Sequence, residues 1–183
     1  SILNDTVKAY IGSGATVEAA NDDTEDDLSS TTGDPNNSNP LTVRVFAAGK
    51  TTMWGVAGAF SGAGTSAIGV GLDVGVLTKT VEAYVDGTVN SEGDIIVQAL
   101  SKEQIISVSA SGAGSGSMAV EGSVGVYTLV LKTKAYVGSS AVLSAAGSIL
   151  VNAYHETLAV LTVGSAGGSS SVAAGASLEV AVE

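Results

Sequence analysis

Six carboxylates crowd one short stretch: Asp22, Asp23, Glu25, Asp26, Asp27 and Asp34, with Asn21, Asn36 and Asn37 beside them. Hard oxygen donors at this density suit calcium, which takes about 6–8 oxygen ligands. Their spacing fits neither the EF-hand loop nor the G-G-x-G-x-D repeat, so a solvated charged loop is the plainer reading and calcium the candidate ligand. The single histidine, His155, would need a nucleophile and an orienting acid converging on it to be catalytic. Its neighbours Tyr154 and Glu156 would point away from it on a strand, and a surface histidine at a strand end is expected. The glycine-rich GAGSGS at 112–117 lacks the P-loop lysine and opens no helix, so it reads as a turn or bulge. Arg44 is the only arginine, too few basic groups for a polysaccharide-lyase cleft, and no enzyme is expected.

The elements that would carry these residues are strands. Ile106, Val108 and Ala110 alternate with Ser107, Ser109 and Ser111, and Val120, Gly122, Val124 and Val126 alternate with Glu121, Ser123 and Gly125. Period two means a strand with one buried face, and the apolar set is expected inside. Glycine is scattered throughout, β-branched residues dominate, and a helical stripe is missing outside one short acidic segment at 20–28.

The pattern recurs. Tyr84 and Tyr136 stand 52 positions apart, whereas Tyr10 and Tyr84 stand 74 apart. The excess is accounted for by residues 21–40, which hold both prolines and the acidic cluster and break every alternation, as an exposed loop insertion would. Trp54, Val56 and Gly58 match Ile106, Val108 and Ala110, then Val160, Thr162 and Gly164. Val43 and Val45 match Val97 and Ala99, then Val151 and Ala153; glycine-rich pinches follow at 61–64, 111–114 and 165–168. Self-similarity at a fixed period of about 52–54 residues predicts an all-β solenoid of three repeats spanning 1–183 as one unit. Stacked repeats would align Ile68, Val120 and Ala174 in one column and Leu72, Val124 and Leu178 in another, with Val124 and Leu178 buried. Gly58, Ala110 and Gly164 would form a small-residue column. Tyr10, Tyr84 and Tyr136 would form a tyrosine ladder. Trp54 and Phe60 are expected in the core. The apolar phase changes between Val126 and Leu129, which predicts a bulge or corner near 127–131.

Composition narrows the function. The net charge is −11, so nucleic acid and anionic membranes are not expected partners. Cysteine is absent, which removes disulfides, thiol chemistry and cysteine-based zinc sites. Residues 1–20 lack the pattern of a signal peptide, and no apolar run is long enough for a membrane helix. The polar second face of each strand and the missing aromatic girdles argue against membrane insertion as a barrel. Acidic, Ser/Thr-faced strands suit a cell-surface protein.

The order TKAYVGSSAVLSAAGSILVNA, a glycine-rich pinch and VEGSVGV resembles the repeats of giant bacterial surface adhesins, the filamentous-haemagglutinin-like and leukotoxin-like proteins exported by autotransporter or two-partner routes. The resemblance covers the chain apart from 21–40, and it implies a parallel β-solenoid (β-helix) rod, extracellular on the bacterial cell surface, structural or adhesive, with no catalytic residue carried over. The expected function is a rod segment of an adhesin or filament. Its partners would be further copies or repeats of itself, joined head-to-tail, because LEVAVE at 178–183 aligns with 124–129 and the opening decapeptide with the stretch after it. The alternative is a binding module that recognises a glycan or host protein through the acidic loop or exposed tyrosines.

Overall fold

The computed structural model describes residues 1–20 and 41–182. They form ten strands and no helix: β1 (Ile2–Ile11), β2 (Thr16–Ala19), β3 (Val43–Ala63), β4 (Ser66–Val85), β5 (Thr88–Ser91), β6 (Ile95–Ser115), β7 (Met118–Val137), β8 (Val142–Ala145), β9 (Ile149–Ser169) and β10 (Val172–Val182). All pairings are parallel, in three sheets ordered β1-β4-β7-β10, β3-β6-β9 and β2-β5-β8. The chain is a parallel β-solenoid. Each coil runs out along one long strand, turns tightly at 64–65, 116–117 or 170–171, and returns along a second. In the first two coils the short strands β5 and β8 then close the near end as a third wall; β1 and β2 stack ahead of β4 and β5.

Register follows the repeat. Ile68, Val120 and Ala174 align, as do Leu72, Val124 and Leu178, and Gly58, Ala110 and Gly164. Offsets between neighbouring long strands are 52 positions from β3 to β6 and 54 from β6 to β9. The start of β3 is the exception to the expected alignment. Val43 pairs with Ile95, and Val97 pairs with Val45, so that match was two residues out. The pinch at Ser61 likewise pairs with Ala113 and not with Ser111. Val and Ile recur every second position here, and a two-residue shift preserves their pattern, which is why composition could not resolve it.

Which face is inside depends on where along the coil one looks. Near the short wall, alternation places Val45, Ala47, Val81, Ala83, Val85, Val89, Ile95, Val97 and Ala99 in a core shared by all three sheets. Farther along, Met53, Leu77, Ile105, Tyr127 and Leu129 form a second core between the two long sheets. Beyond that the expected polarity is reversed. Ser107, Ser109 and Ser111 are buried, and Val108 is exposed. Glu121 and Ser123 are buried, while Val120 is exposed and Val124 half-exposed. Leu178 is 58% exposed, Trp54 70% and Phe60 83%, so none of these belongs to a core.

No bulge causes the reversal. β7 is continuous from Met118 to Val137, and its odd-numbered residues face inward throughout. The expected slip near 127–131 is a change in chemistry along a strand whose parity never changes. The reason is room. Among the described residues the far part of each coil has no third wall, and its two long sheets close directly on each other. A Cβ on Gly71 would lie 3.0 Å from the Ala110 carbonyl oxygen and 3.3 Å from Ser109 Oγ. Gly, Ala and Ser suit so narrow a gap, so in the first two coils Val, Ile and Leu are left outside, while in the third Leu161 and Val163 take inward positions.

Candidate functional site

The interior charges come from β4 and β6. Lys79 and Glu103 are inward residues of the second core, and their side chains are 1% and 0% exposed. Lys79 Nζ lies 2.9 Å from Glu103 Oε1, held by charge and not by an aligned hydrogen bond. The carboxylate has further partners. Ser101 Oγ donates to Oε1 at 2.5 Å, Thr157 Oγ1 reaches Oε2 at 3.5 Å, and His155 Nε2 lies 2.7 Å from Oε2. A buried carboxylate persists only when charge and hydrogen bonds replace its lost water, and this cluster supplies both.

His155 is exposed, as expected, but it does not stand at a strand end. It is in the body of β9, with its side chain 29% exposed and directed onto the carboxylate of the coil below. Pairing β6 with β9 places His155 beside Ser101 and Thr157 beside Glu103. Its partner Glu103 is not a chain neighbour but stands 52 positions away, so the signal for it is the repeat spacing and not a local motif. The geometry is not a catalytic relay. Thr157 Oγ1 lies 2.8 Å from the same Nε2 that meets Glu103. A relay needs the acid on one ring nitrogen and the nucleophile on the other.

A second polar group lies farther along. Asp73 Oδ2 accepts a hydrogen bond from Tyr127 OH at 2.7 Å and another from Ser107 Oγ. Burial raises the Tyr127 phenol above its ordinary range. The ring fits because Gly75, its ladder partner, and Gly55, across the interior, carry no side chain where it lies. Beyond it Ser123 Oγ donates to the Gly164 carbonyl at 2.8 Å, joining the two long sheets directly.

On the outer surface the tyrosine ladder forms as expected. Tyr10, Tyr84 and Tyr136 stack at centroid spacings of 5.1 and 5.0 Å with 6° between planes. One rung back, Lys8 pairs with Glu82 at 2.9 Å; their hydrogen bond lowers the Glu82 carboxyl and raises the Lys8 ammonium. The faces of Tyr84 are both occupied by its neighbours, which leaves little ring surface for a sugar to stack on. On the opposite long sheet a shallow groove of about 400 Å³ is lined by Leu100, Tyr154, Lys50, Lys102 and Glu156, with Lys102 and Glu156 2.8 Å apart.

Asp22, Asp23, Glu25, Asp26, Asp27 and Asp34, the candidate calcium ligands, lie outside the described residues. No protein-family profile, no curated protein and no solved structure matches the chain.

Proposed function

We propose that the chain is a structural rod segment of an extracellular bacterial adhesin or filament, extended head-to-tail along the solenoid axis. The observation that carries this reading is the state of the third coil. Ile95 and Val97 of β6 are 0% exposed, whereas Ile149 and Val151, their partners on β9, are 48% and 40% exposed. These residues have the chemistry of a core, and no coil covers them among the described residues. β9 and β10 also present a row of edge N–H and C=O groups. A further coil would satisfy that edge and bury the columns, whether it belongs to the same polypeptide or to another copy. Such a contact joins two different surfaces and so propagates without closing. The acidic, cysteine-free composition and the likeness of the repeats to those of giant surface adhesins support the extracellular setting.

The test is growth along one axis. The full chain, imaged by negative-stain electron microscopy over a concentration series, should give rods of constant width whose length rises with concentration. Val151→Lys, on the open coil, should shorten them. A chain that stays monomeric at high concentration, with Val151 protected from solvent, would count against the reading.

A further inference from the structure

The outward faces of the thin part of the coil carry no charge and are mostly apolar. No Asp, Glu, Lys or Arg stands at an even position from 52 to 78, from 104 to 130, or from 158 to 182. On the sheet of β4, β7 and β10 this face is three strands deep. Its columns are Ile68–Val120–Ala174, Val70–Gly122–Ala176, Leu72–Val124–Leu178 and Val74–Val126–Val180. Ile68, Val70, Leu72 and Leu178 are each more than half exposed. A contiguous apolar patch on this scale marks a contact surface.

We propose that a second copy of this chain covers it, the same face of each copy packing sheet on sheet about a two-fold axis through the middle coil. Area supports a copy. The strip from 66 to 76 is about 36 Å long at ~3.3 Å per residue, and three strands at ~4.8 Å make it about 14 Å wide. That is roughly 500 Å² per copy, so the pair withdraws about 1,000 Å², which is the lower bound for a specific interface. Each additional coil would add about 170 Å² per copy on the same spacings. Charge supports it too. The net −11 does not oppose the contact, because the face itself carries none of it, and two copies can overlap here with their charged near ends turned aside.

A lipid surface is the other apolar partner such a face could meet, and flotation with vesicles separates the two. The contact lies across the rod and is independent of head-to-tail growth along it.

Sedimentation of the full chain tests this with two variants on opposite faces. Leu72→Glu should halve the mass observed at a given concentration, and Val56→Glu, on the other long sheet, should leave it unchanged. Since the chain has no cysteine, single cysteines give a second readout that survives any misfolding of Leu72→Glu. Under mild oxidation Val124→Cys, near the two-fold axis, should link into dimers at least tenfold faster than Val108→Cys on the opposite face. Equal linking rates, or equal masses for wild type and Leu72→Glu, would overturn the proposal. So would a wild-type monomer that floats with phosphatidylcholine vesicles.

Discussion

The two ends of each coil obey opposite rules on one continuous backbone. At the walled end, inward positions are Val, Ile and Ala, and outward positions carry Lys8, Glu82, Lys102 and Glu156. At the thin end of the first two coils, inward positions are Gly, Ala and Ser with Asp73 and Glu121, and the large outward residues are Ile, Val, Leu, Trp and Phe. The difference teaches that burial in a solenoid is set by the distance between its walls before it is set by hydrophobicity. Where β5 and β8 hold the long sheets apart, the gap takes branched side chains. Where nothing does, backbone meets backbone and the large residues are excluded.

The most direct way to break this comparison is to place the same charge at each end. Val97→Asp puts an unpaired carboxylate into the walled core, where the native residue is 0% exposed. It should abolish cooperative folding, a loss above about 4–5 kcal/mol. Val70→Asp, on a thin-end residue that is 62% exposed, should leave the circular dichroism spectrum intact and cost less than about 1 kcal/mol. Unfolding by both, or by Val70→Asp alone, would mean that apolar residues face inward all along the coil.

The second test uses two neighbouring charges that face opposite ways. Glu103→Ala removes the buried partner of Lys79 and should destabilise by about 3–5 kcal/mol, since an ammonium is left alone in the core. Lys102→Ala breaks the outward, solvent-screened pair with Glu156 and should leave urea unfolding nearly unchanged. The double variant Lys79→Met/Glu103→Leu should recover most of the loss, because a packed apolar pair replaces an ion pair at little cost. A double variant as unstable as Glu103→Ala would show that the pair itself, and not the orphaned charge, holds this layer.

How much of this was legible in the sequence depends on the same boundary. The strands, the period, the aligned columns and the tyrosine ladder all follow from positions that repeat, and parallel stacking in register preserves them. Facing was legible only at the walled end. Alternation gives two candidate faces, and choosing the apolar one assumes a gap wide enough to hold it. The clue to the contrary was present in Gly69, Gly71, Gly75 and Gly125, all at odd positions with Ser107, Ser109 and Ser111. Small residues concentrated on one face announce a close approach, and that face is then the inner one. The charge cluster was missed because Glu103 and His155 meet across coils, and no local motif joins them.

The third test sharpens the claim that the thin end is thin. Gly69 faces inward, and a Cβ there would fall within contact distance of the Gly112 carbonyl oxygen on the facing sheet. Gly69→Ala should force the sheets apart and destabilise by about 1–3 kcal/mol, although alanine normally favours folding over glycine. The control is Gly64→Ala, at the tight turn, where a Cβ meets nothing within 4 Å. Its effect should be about 0.5 kcal/mol or less. A stabilised Gly69→Ala would show a gap wider than a backbone contact.

The smallest expected effect lies at the boundary itself. Tyr127 is the inward aromatic side chain at the point where the gap narrows, and burial raises its phenol above the ordinary value. A folded-state value above the unfolded one means that the unfolded chain gives up its proton first as pH rises. The neutral phenol therefore contributes fully below about pH 10, and its contribution is lost as pH rises from there through the folded value. Melting temperature should fall across that alkaline window. Tyr127→Phe keeps the ring but cannot ionise, so its decline should be shallower. At neutral pH the variant should be less stable by about 1 kcal/mol, because Asp73 loses one of its two hydroxyl donors. The two melting curves should therefore converge above pH 10. Parallel decline of both proteins would place the Tyr127 hydroxyl in water, and with it the point where the walls begin to close.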